Sequence, residues 1–425
     1  MHDSMHRRRV LGMIGAGAAA WTASPALAVV STQTGTAQDA FTGPGPNPYW
    51  NGVGPYVSYP QKLPLQRLTD RSIQLETPRQ YFREAFTPNE AFFVRYHLSS
   101  TPNAIDLASW RLSLEGAFNR PVEFSLLQLV RDFKPVQVAA VNQCSGNSRS
   151  RFQPRVPGGQ WGNGAMGNAM WTGVRLRDLL ERAGIGREVS WIQFEGLDHG
   201  VGPADKPSGR FMKSLPAHDP ALDRAVVAFL MNGEPLPMLN GFPVRMVVPG
   251  KFATYWTKHL SFIRALTHED DNFWMKPAYR IPDTPNGDTT PQDVASGKVK
   301  SVPIGTVDMP VRSFIVDPDG SAPLVQGMPS LIRGVAFSGH GAVVKVEVST
   351  DAGKTWTRAR LGANHGPYSF RTYEHAWTPP AAGRYTLAVR ATDKAGNVQT
   401  DHGVWNPGGY LWNRIERQDV TVLRA

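Results

Sequence analysis

The sequence predicts an α+β domain followed by an immunoglobulin-like β-sandwich, and three features carry that prediction. The chain has 425 residues, 41% apolar and 19% charged, which is too long for one ordinary hydrophobic core and suits two folded units. Strand-like and helix-like periodicities mix along the first part, the signature of an α+β domain. From about residue 309 the texture changes to short alternating strands separated by Asp, Gly and Asn turns, as in a sandwich. The 41 Gly and 35 Pro suit a loop-rich architecture rather than a helical bundle. Disorder and collagen are excluded as the main state.

At the N-terminus, Arg7-Arg8-Arg9 precede the apolar run Val10 to Trp21, and Ala26-Leu27-Ala28 forms a small-residue cleavage site. Residues 1–28 therefore read as an export signal of twin-arginine type, which carries proteins across the membrane already folded. The apolar run is well short of the ~20 residues that span a bilayer. Residues 29–75, with Thr42-Gly43-Pro44-Gly45-Pro46-Asn47-Pro48, read as an extended lead-in, because such composition cannot sustain a helix.

The catalytic-type domain is placed at 76–305. Ala91 to Leu98 has strand composition, and a period of two puts Arg95 and His97 side by side on one face. Val136 to Asn142 is a β-branched run that ends at the turn-forming cluster Cys144-Ser145-Gly146-Asn147-Ser148-Arg149. Val174 to Gly184 has apolar residues at 176, 179, 180 and 183 and closes on glycine, which predicts an amphipathic helix with its stop signal. Trp191 to Leu197 and Phe242 to Val248 read as strands. The polar, Pro- and Gly-containing segment 281–308 reads as a linker. In the sandwich, placed at 306–425, Ala342 to Thr350 alternates with Val344, Val346 and Val348 on one face and turns at Asp351-Ala352-Gly353-Lys354. Tyr385 to Ala391 forms a second such unit, turning at Asp393-Lys394-Ala395-Gly396-Asn397.

The net charge of +10 is dispersed, with no run of five basic residues, so it reads as a solvated surface, an anionic substrate or an acidic partner rather than nucleic acid. The single cysteine, Cys144, excludes an intramolecular disulfide and any thiolate-rich zinc or iron–sulfur site. It leaves an inert thiol, a nucleophile, or one thiolate ligand. The neighbouring Arg149 favours the thiolate. A cysteine-protease arrangement would need a base such as His97 and a helix opening at the nucleophile, and no such helix follows Cys144. Arg95, His97 and Arg149 together would make a donor-rich pocket for a compact oxyanion; the plain alternative is two surface arginines and a satisfied histidine.

Several motifs, in order and spacing, resemble the sulfite oxidase family of molybdopterin enzymes over nearly the whole chain after the signal. They are Phe93-Val94-Arg95-Tyr96-His97; Asn142-Gln143-Cys144-Ser145-Gly146-Asn147-Ser148-Arg149; Gly241-Phe242-Pro243-Val244-Arg245 with Val248-Pro249-Gly250; and Trp274 through Tyr279-Arg280. The loop Gly164-Ala165-Met166-Gly167-Asn168 and the export signal look most like bacterial periplasmic sulfite dehydrogenases. The resemblance implies that Cys144 is the sole protein ligand of molybdenum, the rest coming largely from a pterin dithiolene. It places Arg95, Arg149 and Tyr279 around sulfite, His97 beside the pterin or pocket, and Trp161 and Trp274 as walls. Arg245 and Lys258 fall where the family holds the pterin phosphate, and Asp198 matches a cofactor-side position. The sandwich matches the family's dimerisation domain, which implies a homodimer or heterodimer.

The sequence also departs from the family. Asn240 stands where the animal and plant enzymes have a His, and Tyr255 where they have an Arg. The substrate-side lysine of the animal enzymes has no counterpart between Phe152 and Trp161, Arg155 being the nearest cation. With no Cys-x-x-Cys-His there is no haem attachment in this chain, so the implied two-electron oxidation of sulfite to sulfate would pass electrons to a periplasmic c-type cytochrome. A sulfane dehydrogenase, or a reductase of oxidised methionine on the same fold, is the enzymatic alternative. An exported binding or scaffold protein with a structural cysteine is the non-enzymatic one.

Overall fold

The computed structural model describes residues 56–57, 61–63, 65–67, 72–98, 101–102, 104–201 and 207–425. The export signal at 1–28 and most of the lead-in lie outside the described residues. No described helix is long and apolar enough to cross a membrane.

The architecture is α+β, dominated by strands. Three larger sheets, with one two-stranded sheet described below, form the first part. In the first, the described pieces of the lead-in act as strands, with order Tyr56–Val57, Leu65–Arg67, Gln74–Glu76, Val94–Arg95. Arg95 lies opposite Gln74 in that ladder, and Leu65, Leu75, Val94 and Tyr96 form a small core of their own. Only Val94–Arg95 of the predicted strand 91–98 is extended and paired, because Asn89–Ala91 closes as a 3-10 turn. His97 follows in a bend.

The second sheet has the order Pro207–Pro216, Trp191–Val201, Phe262–Leu266, Leu112–Gly116, Val122–Phe124, with one parallel pair, Phe262–Leu266 on Leu112–Gly116. The third runs Glu234–Pro235, Val226–Met231, Met166–Arg175, Pro135–Gln143, with Arg245–Val247 also on Val226–Met231. Its long hairpin pairs Gln143 with Met166, so the strand delivers Cys144 to the sheet's end. The helix Leu176–Ala183 buries Leu176, Leu179, Leu180 and Ala183, as the spacing predicts. It ends where Gly184, at φ +72°, donates its N–H to Leu180 O, a left-handed backbone that suits glycine.

The helix Leu126–Asp132 begins with a capping box. Ser125 Oγ accepts from Gln128 N at 3.2 Å, and Gln128 Oε1 accepts from Ser125 N at 2.8 Å. Ser125→Ala is expected to cost about 1 kcal/mol in urea denaturation, with activity unchanged.

The C-terminal sandwich stacks two sheets, Arg312–Asp317, Ser330–Phe337, Arg371–Trp377, Arg360–Leu361 and Leu324–Val325, Glu416–Leu423, Gly383–Asp393, Val343–Ser349, Thr357–Arg358. Ile315, Ile332, Val346, Val348, Leu387 and Val389 fill the space between them. Val346 and Val348 point inward as the alternation predicts, but Val344 is exposed. A register shift between Val343 and Lys345 turns Val343 inward instead, as a β-bulge does.

Strand Arg312–Asp317 is buried on both faces. Ile315 faces the sandwich core, while Phe314 packs edge-on against Phe82, 5.4 Å between centroids, in the main core. From the same strand, Arg312 Nη2 reaches Ser148 Oγ at 2.5 Å and Asn163 Oδ1 at 2.8 Å. Asn163 in turn donates to both oxygens of Glu416 at 2.8 Å. The sandwich thus grips the turn that follows Cys144. The predicted linker is built in rather than loose: Arg280–Pro282 pairs with Ser301–Pro303, and Ile304 N donates to Tyr279 O at 2.8 Å.

Candidate active site

One cleft gathers Arg95, His97, Cys144, Asp198, Asn240, Arg245, Lys258 and Tyr279 from strands and loops far apart in sequence. Cys144 sits just past the strand Pro135–Gln143. Its N–H donates to Ala165 O at 2.9 Å and its carbonyl accepts from Asn147 N at 3.0 Å. Backbone bonds therefore hold residue 144 at the cleft. Among the described residues no group of three or more His, Cys, Asp or Glu could hold a metal ion. A metal at Cys144 would have to take its remaining ligands from a bound group.

One end of the cleft is cationic. Arg245 is buried, donating to Asn240 O and Trp256 O, each at 3.0 Å, with its guanidinium 5.2 Å from the Trp171 centroid. Burial pulls its pKa down to about 9. Lys258 Nζ donates to Arg95 O at 2.6 Å and lies 4.2 Å from the Tyr96 centroid. Burial, then Arg245, pulls its pKa down. Asp198 is the counter-charge, its carboxyl pushed up by burial against the opposing pull of Lys258 and Arg95. Beneath Lys258, His259 links Tyr96 Oη and Phe242 O, each at 2.7 Å. Asn240 Oδ1 accepts a hydrogen bond from the buried ammonium of Lys62, which also donates to Asn89 O at 2.6 Å.

At the other end, His97 Nε2 is hydrogen-bonded to Tyr279 Oη. The imidazole stacks on Phe211 with centroids 4.0 Å apart and meets Trp274 edge-on at 5.0 Å. Burial, then the charges of Arg95, Lys258 and Lys213, holds His97 well below its ordinary pKa, so its ring is neutral near pH 7. Burial pushes the Tyr279 phenol up. Tyr279 stacks on Tyr410, 5.7 Å between centroids.

Three predicted residues do not line the cleft. Trp274 backs it, behind His97. Trp161 is fully buried in a loop folded onto the Cys144 turn, where Ser150 Oγ donates to its carbonyl at 2.8 Å; it packs the turn rather than walling the pocket. Arg149 lies behind the Tyr279–Tyr410 pair, its guanidinium 5.3 Å from the Tyr410 centroid. Its Nε and Nη2 donate to Gly408 O at 3.1 and 3.0 Å, and its Nη1 to Gly159 O at 3.1 Å. The turn can hold this arginine only because residue 146 is glycine: a Cβ there would lie 2.3 Å from Nη2.

Sequence reasoning missed several cleft residues. Asn142 and Ser145 flank Cys144 inside the motif, and their polarity at a buried strand end was the available signal. Phe211 and Thr254 carry no local signal; nor do two residues behind the cleft, Lys62 against Asn240 and Tyr410 against Tyr279, the latter from the segment between the sandwich strands Gly383–Asp393 and Glu416–Leu423. Among the described residues, Asn142 Nδ2 and Oδ1, Ser145 Oγ, Thr254 Oγ1 and Arg245 Nε, all buried, have no hydrogen-bond partner. Unpaired buried polar atoms are costly. Converging on a cationic cleft, they fit a large polar ligand with an anionic group, as a pterin phosphate is.

Residues 97–274 match the family described as oxidoreductase molybdopterin binding domain, and residues 304–422 match the Mo-co oxidoreductase dimerisation domain. Sulfite oxidase of Gallus gallus is 33% identical over 378 residues, covering 85% of this chain and 79% of that protein. Mitochondrial sulfite oxidase of Rattus norvegicus is 32% identical over 388 residues, covering 87% and 68%. The chain belongs to the sulfite oxidase family of molybdopterin enzymes. Among solved structures, the sulfane dehydrogenase SoxCD from Paracoccus pantotrophus superposes with a TM-score of 0.70 at 26% identity, covering 91% of this chain and 95% of that one. Membership of the sulfite oxidase family implies a molybdenum cofactor, and the unpaired polar atoms and cations of the cleft fit it.

Proposed function

We propose that this protein oxidises sulfite to sulfate and passes the electrons to a c-type cytochrome in the periplasm, after removal of residues 1–28. The observation that carries the reading is the convergence of the lone thiol Cys144 with Arg95, His97 and Tyr279 in one cleft. The net reaction takes up one water and releases two protons and two electrons per sulfite. When bound, the molybdenum cofactor supplies the two-electron redox chemistry. Cys144 would be the one protein ligand to molybdenum, with Arg245, Lys258, Asn240 and Asp198 around the pterin and its phosphate.

Arg95 offsets the charge of the dianionic substrate in a partly desolvated pocket, where each contact is worth more than in water. Arg149 contributes charge from behind Tyr279. With three of its five N–H donors committed to backbone carbonyls, its orientation is fixed before substrate arrives. Neutral His97 holds Tyr279 Oη in place, and Trp274 and Phe211 hold His97 while excluding water from that side.

A purified, signal-processed sample should reduce cytochrome c in the presence of sulfite, with molybdenum measured on the same sample. Protein made in a host unable to assemble the cofactor should be inactive. Molybdenum-loaded protein that leaves sulfite untouched would refute the reading. Sulfane dehydrogenation is the second reading, drawn from the similarity to SoxCD, and that result would favour it. Absence of molybdenum from protein made in a competent host would favour the binding or scaffold alternative. Twin-arginine export is tested by blocking that translocase, which should leave the unprocessed precursor in the cytoplasm.

A further inference from the structure

Lys213 is fully buried in the strand Pro207–Pro216, opposite Phe194 and two residues after the Phe211 that stacks on His97. Its Nζ donates to Trp274 O at 2.5 Å. The ammonium lies 4.8 Å from the Tyr255 centroid and 5.2 Å from the Tyr279 centroid. Among the described residues no carboxylate lies within ion-pair distance of it. Asp270, a carboxylate whose field acts on it, is engaged by Gln193 Nε2 at 2.7 Å and by Ser214 Oγ.

Burying an unpaired ammonium is expensive, and an apolar side chain of the same length would fill this space without that cost. Two tyrosine faces and one carbonyl offset part of the cost through cation–π and hydrogen-bond contacts. Those contacts also tie the charge to the site, since Tyr279 lines the cleft and Trp274 backs His97.

We propose that Lys213 is a positioning residue for the anionic substrate: held between Tyr255, Tyr279 and Trp274, its buried ammonium fixes Tyr279 and adds positive charge beneath the oxyanion pocket. The inference rests on the oxyanion reading of the site given above. It reaches beyond the cleft lining, because Lys213 would act through Tyr279 and Trp274 rather than by touching the substrate.

The charge is also adjustable. Burial pulls the Lys213 pKa down to about 7, with Asp270 opposing and Arg280 assisting. The other titratable groups packed around it are the Tyr255 and Tyr279 phenols, pushed up by burial, and the His97 imidazole, pushed down. None of these three changes charge near pH 7. Lys213 is therefore charged below about pH 7 and neutral above it, and its help to an anion should be present on the acid side and fade as pH rises.

Sulfate is the probe, because its own charge is constant over this range. Calorimetric titration of sulfate into molybdenum-loaded protein should give a Kd roughly tenfold tighter for wild type than for Lys213→Met at pH 6. The two should converge by pH 8.5. Lys213→Arg, charged throughout, should keep the tight Kd at both pH values. In sulfite turnover the Met variant should raise KM at pH 6 more than it lowers kcat. A merely structural lysine would lower Tm while leaving the sulfate Kd of Lys213→Met equal to that of wild type at pH 6, and that result overturns the proposal. The pH dependence of the Met variant decides the case even if the bulkier arginine is not accommodated. Failure of wild type to bind sulfate would remove the oxyanion reading itself; sulfite turnover with equal sulfate binding at pH 6 in wild type and Lys213→Met would remove only the role of Lys213.

Discussion

Cys144→Ser is expected to abolish sulfite-dependent cytochrome reduction, with a loss of more than about 100-fold, the upper range seen when even an outer-shell partner of a metal ligand is removed. The reason is chemical rather than structural. A serine hydroxyl stays protonated at neutral pH and offers a hard oxygen where molybdenum would meet a soft thiolate. The fold around it should persist, because position 144 is fixed by backbone bonds to Ala165 and Asn147 that do not involve the side chain. The pterin should also be retained, since Arg245 and Lys258 approach the cleft from two other segments. Three readouts on one sample separate these statements: activity, metal by mass spectrometry, and pterin by fluorescence after oxidation. Activity lost with pterin present and Tm unchanged is the expected pattern; an active serine variant would remove Cys144 as the metal ligand.

Much of this site was legible because its residues sit in compact motifs. Cys144 and Arg149 share one turn too polar for the core that surrounds it, and Arg95 and His97 lie side by side at the end of one strand; Asn240 and Arg245 were placed by the family resemblance. The helix at 176–183 followed from its apolar spacing, and the strands read at 136–142 and 191–197 fall within the observed Pro135–Gln143 and Trp191–Val201. What was not legible depends on long-range assembly. Lys213 and Phe211 lie on a strand whose sequence says nothing about which residues meet His97. Tyr410 reaches Tyr279 only because the chain returns to the site after crossing the sandwich. Val344 faces solvent because a bulge interrupts the alternation. Segment 281–308 has linker composition yet pairs as strands, since its few apolar residues, Ile281 and Ile304 among them, are buried against the main core.

Arg149→Gln is expected to raise the sulfite concentration needed for turnover sharply while leaving molybdenum bound. The guanidinium does not line the cleft that would hold the cofactor, so metal content should match wild type. It does clamp Gly408 O with two donors and Gly159 O with a third, and it lies under Tyr410, which stacks on Tyr279. Glutamine carries no charge and can replace at most part of that fork. A hydrogen bond to a charged group is worth about 1.5–3 kcal/mol, and the upper figure corresponds to roughly 150-fold in kcat/KM. Most of the change should fall on KM, because the charge lost from behind Tyr279 and Tyr410 acts on an anion already charged in the ground state. Arg149→Lys separates the two contributions: it keeps the charge but cannot span both carbonyls. A lysine variant close to wild type would mean that charge alone matters, whereas one as impaired as glutamine would mean that the clamp on Gly408, and through it the placement of Tyr410 against Tyr279, carries the effect. Normal turnover of the glutamine variant at low sulfite would mean that Arg149 serves only to fasten the segment containing Gly408 to the turn after Cys144.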